Sequence, residues 1–198
     1  VYSGSLDNAG ERLSLVGPLL EPILDFKYNN AWYRATDGLG FSLVLRDESA
    51  AMTTWDEAHA WRASGQSGGS PGAPEPQLPA IPPILITEVL THTDPPDQDS
   101  VELHNPGADP VGVGGWWMTD DPEMPFKFQI PPGTSIPAQG FLVFNESQFT
   151  NSSGASFRLS SLGDAIHLFS SDGGTQLTGY HHGFDYGAAF NRVPFGRS

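Results

Sequence analysis

The sequence predicts an all-β protein built from short strands, and three observations support this. Runs that alternate apolar and polar residues recur along the chain, as half-buried strands do. Turn-forming residues separate these runs, because the 198 residues include 23 Gly and 18 Pro. Only 16% of the residues are charged, and this balance fits many tight turns better than long helices.

The first part of the chain carries three predicted strands and one predicted helix. The strands have the sequences ERLSLV, PILDFKY and GFSLVLRD, with Asn29-Asn30 and Asp37-Gly38 as turns. Residues 53–63, TTWDEAHAWRA, then change to alanine-rich helical spacing. Thr54 and Glu57 have the spacing of a capping box, so this segment predicts one short helix.

Residues 64–83 are rich in Gly, Ser and Pro and predict a linker that is extended in its Pro-rich part. Within it, residues 65–69 match the Gly-x-Ser-x-Gly pattern of a nucleophile elbow. That motif requires a strand before the serine and a helix after it. Ser67 instead follows a predicted helix and enters a linker, so we interpret the match as chance.

From residue 84 onward the strand pattern starts again and continues to the end of the chain. About nine short candidate strands alternate with turn signals, which is typical of a β-sandwich. They have the sequences ILITEVL, SVELHNP, GWWMTDD, FKFQIP, GFLVFN, FRLSS, AIHLFSS, LTGYHHG and FNRVPFG.

One pattern occurs twice in the sequence. Residues 6–16, LDNAGERLSLV, align without a gap on residues 159–169, LSSLGDAIHLF. Both segments have a Gly followed by an acidic residue and then alternating apolar positions, which predicts a turn that leads into a half-buried strand. The repetition predicts that residues 1–46 form the back half of a second structural unit.

The order of motifs from residue 84 onward resembles the lamin tail domain family in its bacterial form. The motifs are Thr87-Glu88, Glu102 to Asn105, Gly115-Trp116, Gly140 to Val143, Leu159 to Asp164 and Phe190 to Val193. The resemblance implies one complete immunoglobulin-like β-sandwich at residues 84–198. It also implies that residues 1–63 are the C-terminal half of a preceding copy, ending in the short helix and joined by the linker 64–83.

Composition restricts the classes of partner. Asp and Glu number 23 against nine Lys and Arg, which gives a net charge of −14. Nucleic acid is therefore an unfavourable partner, because phosphate binding depends on Lys and Arg. No window holds 18 consecutive apolar residues, so we expect no membrane insertion. The absence of Cys fits an exported bacterial protein, located outside the cell or on its surface, whose signal is not in this chain.

The acidic residues before and within the second predicted strand of residues 84–198 are a candidate calcium loop: Asp94, Asp97, Asp99 and Glu102. Carboxylate oxygens are the ligands that calcium prefers, although the EF-hand pattern is absent. The alternative is a solvated loop between two strands. No other cofactor is expected. His181 and His182 are adjacent and point to opposite faces of a strand, so we assign no transition-metal site.

Trp116 and Trp117 are the candidate ligand surface. On a strand they point to opposite faces, so one fills the core and the other lies outside, where an exposed indole can stack on a carbohydrate. The alternative is that the outer indole packs against the first unit or the linker.

These features predict a non-catalytic module of a larger exported bacterial protein, acting in adhesion, spacing or ligand binding. No spacing of acid, base and nucleophile indicates an enzyme. The alternative is a calcium-stabilised carbohydrate-binding module attached to a secreted enzyme. Expected partners are neighbouring domains of the parent protein, and carbohydrate or another protein. A homodimer through the N-terminal half-unit is a further expectation, because half a sandwich leaves an apolar face and an open edge.

Overall fold

The structure is a computed structural model that describes residues 5–76, 81–150 and 155–196. The chain divides into two compact units, residues 1–78 and 79–198. Within the described residues, no helix has the length and apolar character needed to cross a membrane.

The N-terminal unit contains two antiparallel hairpins. Strand β1 (Arg12–Val16) pairs with β2 (Pro22–Lys27), and β3 (Leu43–Leu45) pairs with β4 (Trp61–Ala63). Aromatic rings form the centre of this unit, because Phe26 lies 5.7 Å from Trp55 and 5.1 Å from Trp61 between ring centroids. Short 3-10 turns connect the strands, at Asn30–Trp32, Arg34–Thr36, Met52–Thr54 and Ala58–Ala60.

The helix predicted at residues 53–63 is wrong. The segment forms two 3-10 turns and then strand β4, and Glu57 between the turns has an extended backbone with φ −115° and ψ 135°. The Thr54 hydroxyl donates to the Ala51 carbonyl at 2.8 Å instead of capping a helix. Pairing of Trp61 with Leu45 and burial of the Trp61 indole outweigh the local helix preference.

The described part of the predicted linker, residues 64–76, is hydrogen-bonded to the N-terminal unit. The Ser64 amide donates to the Ser42 carbonyl at 2.8 Å, and the Gly68 amide donates to the Gly40 carbonyl at 2.7 Å. Glu75 accepts the Gly65 amide at 2.5 Å. The unit boundary therefore lies at residue 78, beyond the predicted end of the first unit at residue 63. Residues 77–80 of the predicted linker lie outside the described residues.

Ten strands and one α-helix make up the described part of the C-terminal unit. In chain order the strands are β5 (Leu85–Leu90), β6 (Ser100–His104), β7 (Val111–Gly112), β8 (Trp117–Thr119), β9 (Phe128–Gln129), β10 (Ser135–Ile136), β11 (Phe141–Asn145), β12 (Asp164–Ser171), β13 (Leu177–Tyr186) and β14 (Phe195–Gly196). Helix α1 (Glu146–Thr150) follows β11 and buries Phe149. It is the one α-helix among the described residues of the chain.

These strands form two four-stranded antiparallel sheets. The first has the order β11–β6–β5–β14 and the second the order β13–β12–β8–β9, while β7 and β10 form a small separate pair. Both large sheets contribute to one apolar core, whose fully buried members include Ile86, Val101, Leu103, Met118, Ile166 and Leu168. Two antiparallel sheets around one core are a β-sandwich, so the predicted fold class is confirmed.

A buried asparagine joins three segments at one end of the sandwich. The side-chain amide of Asn105 donates to the carbonyls of Asp109 at 2.8 Å, Ile136 at 3.2 Å and Pro137 at 3.0 Å. Its side-chain oxygen accepts the Gly107 amide at 2.9 Å. Asn105 is completely buried, so these bonds replace all of its contact with water.

Candidate interaction surface

The two adjacent tryptophans lie in different environments. Trp116 is only 6% exposed and packs against Tyr180 in the core, so its indole does not form part of an exposed surface. Trp117 is half-buried on the other side of the sheet, and its Nε1 donates to the Gly174 carbonyl at 2.8 Å. Its ring packs edge-on against Phe126. The hydrogen-bonding atom of Trp117 is therefore already used within the protein.

The candidate calcium loop does not bring its carboxylates together on a common centre. Asp94 accepts from Asn191 at 2.6 Å, Asp97 pairs with Arg192 at 2.8 Å, and these contacts fasten the loop to the segment before β14. Asp99 accepts from Thr93 at 2.7 Å and Glu102 accepts from Thr87 at 2.8 Å. Each carboxylate thus has its own protein partner. The residues that the structure describes contain no group of three or more His, Asp or Glu placed to hold a metal ion.

We expect calcium at millimolar concentration to leave the melting temperature of the full chain unchanged, because the four carboxylates face different partners. Asp97→Ala should change the free energy of unfolding by less than about 1 kcal/mol, since its ion pair with Arg192 is largely exposed. Differential scanning calorimetry with calcium and with chelator measures both effects. A calcium-dependent rise that disappears in Asp97→Ala would contradict the structure.

The histidines are distributed over separate contacts. His167 Nδ1 lies 3.0 Å from His181 Nε2, whereas His182 Nδ1 accepts the Ile86 amide at 3.1 Å on the opposite face of β13. His92 contacts the Ala189 carbonyl at 2.9 Å, and the ring of His104 stacks on Phe141. Ser67 of the Gly-x-Ser-x-Gly match lies in a turn, where its hydroxyl donates to the Gly40 carbonyl at 3.4 Å.

A groove of about 520 Å³ runs between edge strand β13 and strands β5 and β14. Its apolar lining includes Ile86, Phe184, Tyr186 and Phe195. Burial raises the pKa of the Tyr186 phenol, and the nearby carboxylate of Asp164 acts in the same direction. This groove was not predictable from the sequence, because it forms only where two sheet edges approach each other.

The hairpin β1–β2 exposes an unusual number of large apolar side chains. Leu15, Val16 and Ile23 are 50–55% exposed, and Leu19 and Leu20 at the turn are 88% and 80% exposed. Leu20 has a φ of +65°, a conformation that branched side chains rarely adopt. We call these five residues the hairpin patch; they are close together on one hairpin, and Leu15 and Val16, as consecutive strand residues, point to opposite faces of it.

The hairpin β1–β2 and the hairpin β12–β13 share their local geometry. Gly10 has φ +103° and Gly163 has φ +117°, both in the left-handed region. A Cβ on Gly10 would lie 2.4 Å from the Tyr28 carbonyl oxygen, and a Cβ on Gly163 would lie 3.2 Å from that of Tyr186. Each glycine thus permits the close approach of a tyrosine, which is the last residue of β13 in one hairpin and directly follows β2 in the other.

The strand registers of the two hairpins also agree. In the first hairpin Leu13 pairs with Phe26, and Leu15 pairs with Leu24. In the second hairpin the equivalent pairs are Ile166 with Phe184, and Leu168 with His182. The corresponding side chains differ in burial. Leu168 and Phe169 are 0% and 1% exposed, whereas Leu15 and Val16 are 55% and 50% exposed. In the C-terminal unit β12 also pairs with β8, but among the described residues β1 pairs with β2 alone.

The C-terminal unit is therefore an immunoglobulin-like β-sandwich, and its described residues hold no group of three or more His, Asp or Glu placed to bind a metal ion. The model of the lamin tail domain family matches residues 77–182, which is more than half of the chain. The chain belongs to the lamin tail domain family, a family of immunoglobulin-like, non-enzymatic domains. No curated protein and no solved structure matches the chain.

Proposed function

We propose that the chain is a non-catalytic module of a larger exported bacterial protein, acting in adhesion or spacing through contacts with other protein segments. The observation that carries this proposal is the hairpin patch, because several large apolar side chains exposed on one hairpin are typical of protein-binding surfaces. The patch lies at the open edge of a two-stranded sheet, which is itself a template for pairing.

The composition supports a location outside the cell or on its surface. A net charge of −14 keeps a protein soluble and disfavours contact with nucleic acid or anionic lipid. The absence of Cys fits an exported bacterial protein, whose stability here does not depend on disulfides. The sequence that flanks this chain in its gene tests this part of the proposal. We expect an export signal and further domains there, and a parent protein without export signals would contradict it.

The N-terminal unit is, in this proposal, a second and partial lamin-tail unit. Its support is the agreement between the two hairpins in the left-handed glycine, in the tyrosine carbonyl that this glycine approaches, and in strand register. The partial unit has four described strands in two separate two-stranded sheets, where the C-terminal unit has two four-stranded sheets. A two-stranded sheet is marginal by itself and gains stability from a covering partner.

Dye binding tests whether the hairpin patch is an accessible apolar surface. We expect the full chain to enhance the fluorescence of 8-anilinonaphthalene-1-sulfonate, and the double substitution Leu15→Ser and Ile23→Ser to remove most of this enhancement. The matched control is Leu162→Ser with Phe190→Ser, since both control residues are more than 80% exposed but belong to the other unit. The control should keep the enhancement, because single exposed apolar residues form no patch.

The proposal fails if the wild-type chain does not enhance dye fluorescence, or if the hairpin and control variants lose it equally. In the first case the hairpin patch is not accessible in solution. In the second case the dye reports a general property of the surface.

A further inference from the structure

We propose that the open edge of β1 binds one particular kind of partner: an antiparallel β-strand from the front half of a lamin-tail unit, equivalent to β8. This inference rests on the proposal that the N-terminal unit is a partial lamin-tail unit. The C-terminal unit supplies the template, because its equivalent strand β12 has β13 on one edge and β8 on the other.

The template defines the register of the proposed pairing. In the C-terminal unit, His167 lies opposite Thr119, Leu168 opposite Met118 and Phe169 opposite Trp117. The equivalent positions of β1 are Ser14, Leu15 and Val16. The partner strand therefore places a threonine, a large flexible apolar residue and an aromatic residue opposite them, in that order.

The difference in burial supports the same assignment. Leu168 is completely buried and lies beside Met118 of β8, whereas Leu15, at the position equivalent to Leu168, is 55% exposed. A strand on the outer edge of β1 would place apolar side chains beside Leu15 and Val16 and would satisfy the unpaired backbone groups of β1. Both effects stabilise the pairing, and main-chain bonds with alternate side-chain contacts are the usual basis of strand addition.

A synthetic peptide of residues 113–122, VGGWWMTDDP, is the probe for this proposal. We expect the peptide at about 1 mM to slow amide hydrogen exchange of residues 12–16 in the full chain at least about twofold, as half-occupancy of a millimolar site would. Exchange at β3 should not change. Hydrogen exchange followed by mass spectrometry measures both segments, and a scrambled peptide of the same composition should have no effect.

Two matched variants make the test specific. Leu15→Lys should abolish the slowing, because a charged side chain would lie against the apolar residue of the partner strand. Leu19→Lys should retain it, since Leu19 lies in the hairpin turn and is 88% exposed. Unchanged exchange at β3 shows that the N-terminal unit of each variant is folded.

Three results would overturn the proposal. The first is no slowing at β1 with peptide, and the second is equal slowing with the scrambled peptide. The third is protection of β1 that rises with protein concentration in the absence of peptide, because a second copy of the chain would then be the partner. If dye binding depends on the hairpin patch but the peptide has no effect, the proposed function stands and this assignment alone fails.

Discussion

Leu168→Ala is expected to lower the free energy of unfolding of the C-terminal unit by about 2–5 kcal/mol, whereas Leu15→Ala should cost the N-terminal unit less than about 1 kcal/mol. The two leucines occupy equivalent positions in hairpins of the same register. Leu168 is completely buried between two sheets, so its truncation leaves a cavity. Leu15 is 55% exposed, so its truncation removes little packing.

Urea unfolding of the full chain, followed by hydrogen exchange at β12 and at β1, assigns each change to its unit. Leu162→Ala is the control for the C-terminal unit, because Leu162 is 85% exposed next to the same hairpin. A loss at Leu15 as large as that at Leu168 would mean that the hairpin patch is buried in solution. The proposal for β1 would then need a partner already in place.

Asn105→Ala is expected to destabilise the C-terminal unit by about 2–4 kcal/mol, because it removes four hydrogen bonds at a completely buried position. The three carbonyls that accept from Asn105 belong to the loop at Asp109 and to the end of β10 at Ile136 and Pro137, and the substitution removes the donor of all three. Asn105→Asp should cost at least as much as Asn105→Ala. It keeps the acceptor for Gly107 but places a carboxylate against carbonyl oxygens.

Thermal and urea unfolding of the full chain measure both Asn105 variants. Asn145→Ala is the matched control, since Asn145 is exposed and its hydrogen bond to Gln148 uses its backbone amide. We expect the control to lie within about 0.5 kcal/mol of wild type. If Asn105→Asp were as stable as wild type, the side-chain amide would not be the donor to these carbonyls.

Several features of the fold were predictable from residues alone, because they depend on local pattern. Alternation in AIHLFSS and in LITEVL predicted strands that the structure contains as β12 and β5. The glycine before each of the two similar strands was predictable as a turn residue, and both have a left-handed backbone. The order of motifs predicted a lamin-tail domain, and the family model matches residues 77–182.

The candidate sites were less predictable, because they depend on which side chains converge in space. Asp94, Asp97, Asp99 and Glu102 are close in sequence, but strand geometry and neighbouring segments give each a different partner. In the sequence, Asn105 is recognisable only as the last residue of the motif Glu102 to Asn105. Its role depends on carbonyls about 30 residues away, which no local pattern indicates.

The sequence by itself determined the strand pattern, the left-handed turns and the family, since each follows from residue types at short spacing. Tertiary structure alone decided that residues 61–63 form a strand, because pairing with β3 and packing against Phe26 and Trp55 outweigh a local preference for helix. It also decided which of two equivalent leucines is buried. Leu168 lies between two sheets and Leu15 does not, because burial depends on the strands that surround a residue and not on its own sequence.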